Sequence, residues 1–173
     1  MHKKYGSNDA IVKHCKTVAR VAAILAEEFA RQGKDIDLEA TAEGALLHDI
    51  GRGRVQTVRH GLEGSLILEG EGVNDKVVQI VRRHVGAGIS AEEAKKLGLP
   101  DFDYIPRTRE QVIVCFADKM VDAEVVRPFE MEVKRFEMKG HDVGRLLSLK
   151  QNLEADLRED PEGLVLRKIK GTR

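Results

Sequence analysis

Four histidines, His14, His48, His60 and His84, and two aspartates, Asp49 and Asp118, lie in or at the ends of inward-facing helical stretches. His2 and His141 do not. The segment Ala45-Leu46-Leu47-His48-Asp49-Ile50-Gly51-Arg52 ends an apolar run in an adjacent imidazole and carboxylate, which is costly unless something pairs with them. A single histidine of this kind is most simply a hydrogen-bonded core or helix-end residue. Four of them together with two aspartates make a donor set. Helical bundles build di-metal sites by aiming imidazoles and carboxylates inward from separate helices. Six donors exceed the needs of one tetrahedral ion, so two ions sharing a bridging carboxylate are the economical solution. Nitrogen and oxygen donors without thiolate favour iron, manganese, cobalt, nickel or zinc over a structural cysteine-bound zinc. Two neighbouring cations lower the pKa of a shared water and stabilise charge on a phosphoryl oxygen during in-line attack. Hydrolysis by that route needs no side-chain nucleophile.

Phosphate contacts are expected from basic residues beside the donors, namely Arg52, Lys119 and the Arg82-Arg83 pair. The plainer alternatives are a helix C-terminal charge for Arg52 and a solvated face for the pair. Cys115, one turn before Asp118, reads as a buried structural thiol. No Ser-His-Asp or Cys-His arrangement can be placed, and neither a phosphate loop nor a strand-associated G-x-G-x-x-G occurs.

The donors need helices to carry them. Ser7, Asn8 or Asp9 caps a first helix to about Arg31, in which Ile11, Cys15, Val18, Ala22, Leu25 and Phe29 recur at three- and four-residue steps, with His14 beside that stripe. Asp37 starts a second helix, Leu38 to about Gly51, whose Gly44 leaves room for another element near His48. A third short helix begins at His60. Asn74 caps a fourth that reaches His84, and Ser90 with Glu93 forms a capping box for a fifth. Thr108 caps a sixth, Arg109 to about Ala123, where Asp118 interrupts an apolar stretch. Beyond Pro128, two helical segments are split near Gly140, the second carrying Leu146, Leu149, Leu153 and Leu157. Pro161-Glu162-Gly163 ends it and leaves a basic tail, with a terminal strand over Leu164 to Ile169 as the single strand candidate. The architecture expected is an all-α bundle.

A chain of 173 residues suits one domain. Its 29 Lys and Arg balance 29 Asp and Glu, so no overall basic field exists to capture nucleic acid or anionic lipid. That balance, with histidines directed at the core, also speaks against a helix-turn-helix DNA reader. Apolar runs are too short for a membrane span, and the first twenty residues lack the apolar region of a signal peptide. With two cysteines that form no CxxC pair, the reading is a cytoplasmic protein in a reduced compartment.

The order His14, His48-Asp49, then Asp118 in Cys-Phe-Ala-Asp-Lys resembles the HD-domain superfamily, with its H…HD…D pattern on an all-α core. His60 and His84 look like the additional ligands of its di-metal branches, and His48-Asp49-Ile50-Gly51 resembles the HDIG variant. The resemblance covers roughly 8–125. It implies a single HD-type domain over 1–173, with a C-terminal helical extension at 128–160 and a basic tail at 161–173. It also implies one ion on His14, His48, Asp49 and Asp118, and a second on Asp49, His60 and His84, with Asp49 bridging. Asp49, Arg52 and Lys119 would then serve catalysis. Many HDIG-type proteins have lysine at the place of Arg52; an arginine clamps phosphate but hardly donates a proton.

The implied activity is metal-dependent hydrolysis of a phosphate ester or anhydride of a nucleotide or similar small molecule. Two other readings share the donor set: a mixed-valent di-iron oxygenase of the same superfamily, similar to myo-inositol oxygenase, and a non-catalytic module that binds a phosphoester as a signal. A homodimer through residues 128–158 is compatible with a helical surface.

Overall fold

The computed structural model describes residues 1–171. Helix α1 (Asp9–Arg31) starts where the Asn8 side chain accepts from the Ile11 N–H at 2.9 Å, and its apolar stripe buries Cys15, Val18, Ala22, Leu25 and Phe29. It packs along α2 (Leu38–Leu47), which Asp37 caps through the Ala40 N–H. Next come α3 (His60–Gly70) and α4 (Asp75–Arg83), the latter capped by Asn74. A Cβ on Gly44 would stand 2.7 Å from Ile80 Cγ2, so the missing side chain is what lets α2 and α4 lie together. Capping boxes of Ser90 with Glu93 and Thr108 with Gln111 open α5 (Ala91–Lys96) and α6 (Arg109–Lys119). Two-residue strands β1 (Val121–Asp122) and β2 (Val125–Val126) pair antiparallel, then α7 (Phe129–Met138), α8 (Gly144–Leu157) and α9 (Pro161–Lys170) complete an all-α architecture.

One core cluster joins residues of α1, α2, α4 and α6 to Leu146, Leu149, Leu153 and Leu157 of α8 and Leu164 and Val165 of α9. A satellite cluster of Leu62, Ile89, Ala94, Leu99 and Tyr104 sits beside α3 and α5. Among the described residues, no helix is long and apolar enough to cross a membrane.

Three sequence expectations change. The second helix stops at Leu47, and a 3-10 segment, Ile50–Gly53, follows. The cause is close packing: a Cβ on Gly51 would lie 2.0 Å from the His60 carbonyl oxygen, so the chain turns there to pass under the start of α3. The sixth helix stops at Lys119, and Val121, Val125 and Val126, which favour extended backbone, fold back as the hairpin. The third change is at the C-terminus. Pro161 occupies the first turn of α9, where its missing N–H costs nothing, and Asp160 caps the Glu162 and Gly163 N–H groups. The basic tail is therefore helical through Lys170, and the Leu164 to Ile169 strand is not formed. Residues 172 and 173 of that tail lie outside the described residues.

Candidate metal centre

Each of the four histidines is held by its Nδ1. In His48 it bonds the Ala45 carbonyl at 2.8 Å, in His60 the Thr57 carbonyl at 2.7 Å, in His84 the Val81 carbonyl at 2.7 Å and in His14 the Ala123 carbonyl at 3.0 Å. A carbonyl only accepts, so Nδ1 carries the proton in all four, and in the neutral ring Nε2 is left with its lone pair. Those lone pairs converge on carboxylates. His14 Nε2 is 3.0 Å and His48 Nε2 3.5 Å from Asp118 Oδ1, while His60 Nε2 and His84 Nε2 stand 3.2 and 3.4 Å from Asp49 Oδ1. His60 Nε2 and His84 Nε2 are 3.0 Å apart.

Acceptors gathered in this way repel one another unless a proton or a metal cation lies among them. Among the described residues, buried His48 Nε2 and Asp49 Oδ1 find no hydrogen-bond partner, which is costly for polar atoms sealed from water. Donor atoms held about 2 Å from one ion stand about 3 Å from each other, matching the spacing here. Two groups, His14 with His48 and Asp49, and Asp49 with His60 and His84, each bring their donor atoms close enough to share an ion. The residues fit divalent metal, with donors already oriented by backbone carbonyls.

Burial disfavours protonation of His48 and His14, but Cys15 and Asp49 beside the first and Asp118 beside the second raise both rings above the usual range, so a metal ion at their Nε2 atoms takes the place of a proton. Burial opposes ionisation of Asp118 and Asp49, but Lys119 and His14 beside the first, and His48 and His60 beside the second, hold both carboxyls well below the usual range. Burial pushes His84 down to about 4, which keeps its ring neutral and its lone pair available. Lys119, sealed against Asp118, stays charged: burial works against its ammonium, and the adjacent carboxylate outweighs it. Arg52 reaches back one turn to place Nε 2.7 Å from Asp49 Oδ2.

Two cavities flank the cluster, both lined by Arg52, Asp118 and Lys119. The one of about 390 Å³ touches His14 and Asp49; the other, of about 220 Å³, touches His60 and His84. Arg52 and Lys119 are thus where phosphate contacts were expected. Arg82 and Arg83 are not. Arg82 turns to Ser65 and Glu69, and Arg83 donates to the Asp103 and Ile105 carbonyls while its guanidinium lies over the Phe102 ring. Cys115 is buried, its thiol pushed up to about 12 by burial and directed at the Gly86 carbonyl, as befits a structural group. Sequence reasoning missed Glu132, Arg135 and Lys139, which bring α7 to the larger cavity. It also missed Ala123, whose carbonyl orients His14. Nothing local marks either set, because both reach the site through the hairpin.

Residues 11–121 match the HD domain. The chain belongs to the HD-domain family. It is 41% identical over 137 residues to a tRNA (cytidine(56)-2'-O)-methyltransferase of Thermoplasma volcanium, covering 79% of this chain and 39% of that one. A protein of that same description from Picrophilus torridus is 38% identical over 155 residues, with 88% and 44% covered. This HD-domain chain therefore spans about two fifths of the length of those two relatives. An uncharacterized protein of Methanocaldococcus jannaschii is 40% identical over 130 residues, with 75% of this chain and 77% of the relative covered. Among solved structures, the HD domain of the L. monocytogenes phosphodiesterase PgpH superposes with a TM-score of 0.59 over 94% of this chain and 93% of that one. Its complex with cyclic-di-AMP gives 0.60 over 94% and 91%. At 16% and 15% identity these structures share the HD fold with this chain.

Proposed function

We propose that this HD-type chain, acting as one domain, is a metal-dependent phosphohydrolase that cleaves a phosphate ester or anhydride of a nucleotide or similar small molecule. The observation that carries the reading is the convergence of four imidazole Nε2 atoms on the carboxylates of Asp49 and Asp118 beside a cavity lined by Arg52 and Lys119. In this reading His14, His48, Asp49 and Asp118 hold one ion, and Asp49, His60 and His84 a second. Once bound, the ions supply a water of lowered pKa and positive charge against the phosphoryl oxygens. The chain's own groups do the rest. Asp49 joins the two halves, Arg52 clamps a phosphate oxygen from its place beside Asp49, and Lys119 contributes a charge fixed by Asp118. Proton delivery to the leaving group falls to solvent or substrate, since neither cation readily gives up a proton.

The test is release of phosphate or nucleotide from a broad phosphoester panel in the presence of added divalent metals. His48→Ala and Asp49→Ala proteins that remain folded should lose more than about a hundredfold in rate. Absence of turnover on every phosphoester with metal loaded would overturn the reading.

The relatives favour a particular setting for the substrate. HD-type sequence like this chain's lies within proteins named for methylation of a tRNA cytidine. A nucleotide or RNA-derived phosphoester is therefore the first substrate class to assay.

A further inference from the structure

Helix α7 lies beyond residues 11–121, the span that matches the HD domain, yet it forms one wall of the site. The cavity beside His14 and Asp49 adjoins a third, of about 220 Å³, with which it shares the lining residues Lys119, Val121, Asp122, Glu132 and Arg135. The outer part has an apolar surface of Val121, Pro128 and Met131, with Arg127 at its edge. Met131, Arg135 and Lys139 follow one another at four-residue steps and so share a face of α7 and its C-terminal cap. Met131 is 52% exposed, a large apolar group offered to solvent beside the cations.

The charges do not cancel. Arg127 and Lys139 make no ion pair among the described residues, and Arg135 is 3.5 Å from Glu132 with more than half its side chain exposed. Against these three cations stand Asp122 and Glu132, the latter holding Arg135 in place. A single scissile phosphate at the metal cluster is already met by Arg52 and Lys119. Arg135 and Lys139, on the α7 wall of that same cavity beside His14 and Asp49, have nothing to bind in a one-phosphate substrate, whereas a second phosphate one nucleotide along the chain reaches them. The apolar surface of the adjoining cavity, Val121, Pro128 and Met131, suits the face of a base or ribose.

We propose that α7 and the β1–β2 hairpin form a second nucleotide subsite, in which Arg135 and Lys139 bind the second phosphate of a linear dinucleotide or short oligonucleotide. The subsite rests on the phosphohydrolase reading for its purpose, and binding can be measured without turnover.

The probes are a linear dinucleotide with and without a 5'-phosphate, compared by calorimetric affinity and by kcat/KM with metal added. The whole chain should prefer the phosphorylated form. In the Arg135→Ala/Lys139→Ala double variant that preference should fall about tenfold, because two charge-assisted contacts are removed. A Lys95→Ala control, on exposed α5, should keep it. A wild-type protein with no preference, or a double variant with the full preference, overturns the subsite. Turnover without preference sinks the subsite alone; a preference in binding that the double variant loses, with no turnover of either probe, supports the subsite and counts against the phosphohydrolase.

Discussion

His48, His60 and His84 take their orientation from a carbonyl three residues earlier, whereas His14 takes it from Ala123, 109 residues away across the hairpin. The first kind of support forms with the helix end itself. The second exists only when α1, α6 and the hairpin have docked. Exposure follows the same division: the His60 and His84 side chains are 5% and 1% exposed, while His14 and Asp118 are 16% and 15%. The His60–His84 half is sealed and locally built, whereas the other half joins sealed, locally held His48 to His14 and Asp118, which open to the larger cavity and come from helices far apart in the chain. The open half adjoins α7 and the substrate-sized space, so it pairs easier access with a support that is easier to disturb.

Three experiments press on that difference. The largest effect is expected from the donors themselves. His60→Ala and His84→Ala should each cost one ion and leave the other, and His14→Ala should do the converse, read by elemental analysis of folded protein. Equal stoichiometry in all three variants and the wild type would dispose of the two-ion arrangement. Next comes the long-range support. Ala123 has φ of +52°, a conformation that a β-branched residue adopts with strain. Ala123→Val should therefore shift the carbonyl and weaken the His14-side ion by about tenfold or more, while Ala123→Gly keeps it. If metal titration shows both ions weakened alike in Ala123→Val, the two halves are not independently supported. The smallest effect should come from Asn8→Ala, which removes a cap worth about 1 kcal/mol from α1. Thermal unfolding should move down modestly and metal content should stay at the wild-type value, since the 23-residue helix is held along its buried stripe. A lost ion in Asn8→Ala would mean that the start of α1, not its packing, places His14.

Much of the scaffold was readable from side-chain chemistry. Asn8, Asp37, Asn74, Ser90 and Thr108 each cap the helix expected of them, because a short polar side chain meets unpaired N–H groups within its own turn. Gly44 stood out as an open place near His48, and Ile80 is what comes close to it. The ends of α2 and α6 were different. Ala45 to Gly51 reads as helix by every local measure, and the turn after Leu47 is set by the His60 carbonyl closing on Gly51. The run through Met120 likewise continues a helical pattern until the hairpin reverses it.

By itself the sequence determined most of the helices and their caps and singled out six candidate donor side chains, since periodicity and donor type are properties of residues and their near neighbours. Only the tertiary structure decided which nitrogen of each imidazole faces the centre, that Arg82 and Arg83 turn away, and that Arg135 and Lys139 line its larger cavity. Those facts depend on carbonyls, helix faces and close approaches supplied by segments far apart in the chain, and no local pattern encodes a partner that arrives through packing.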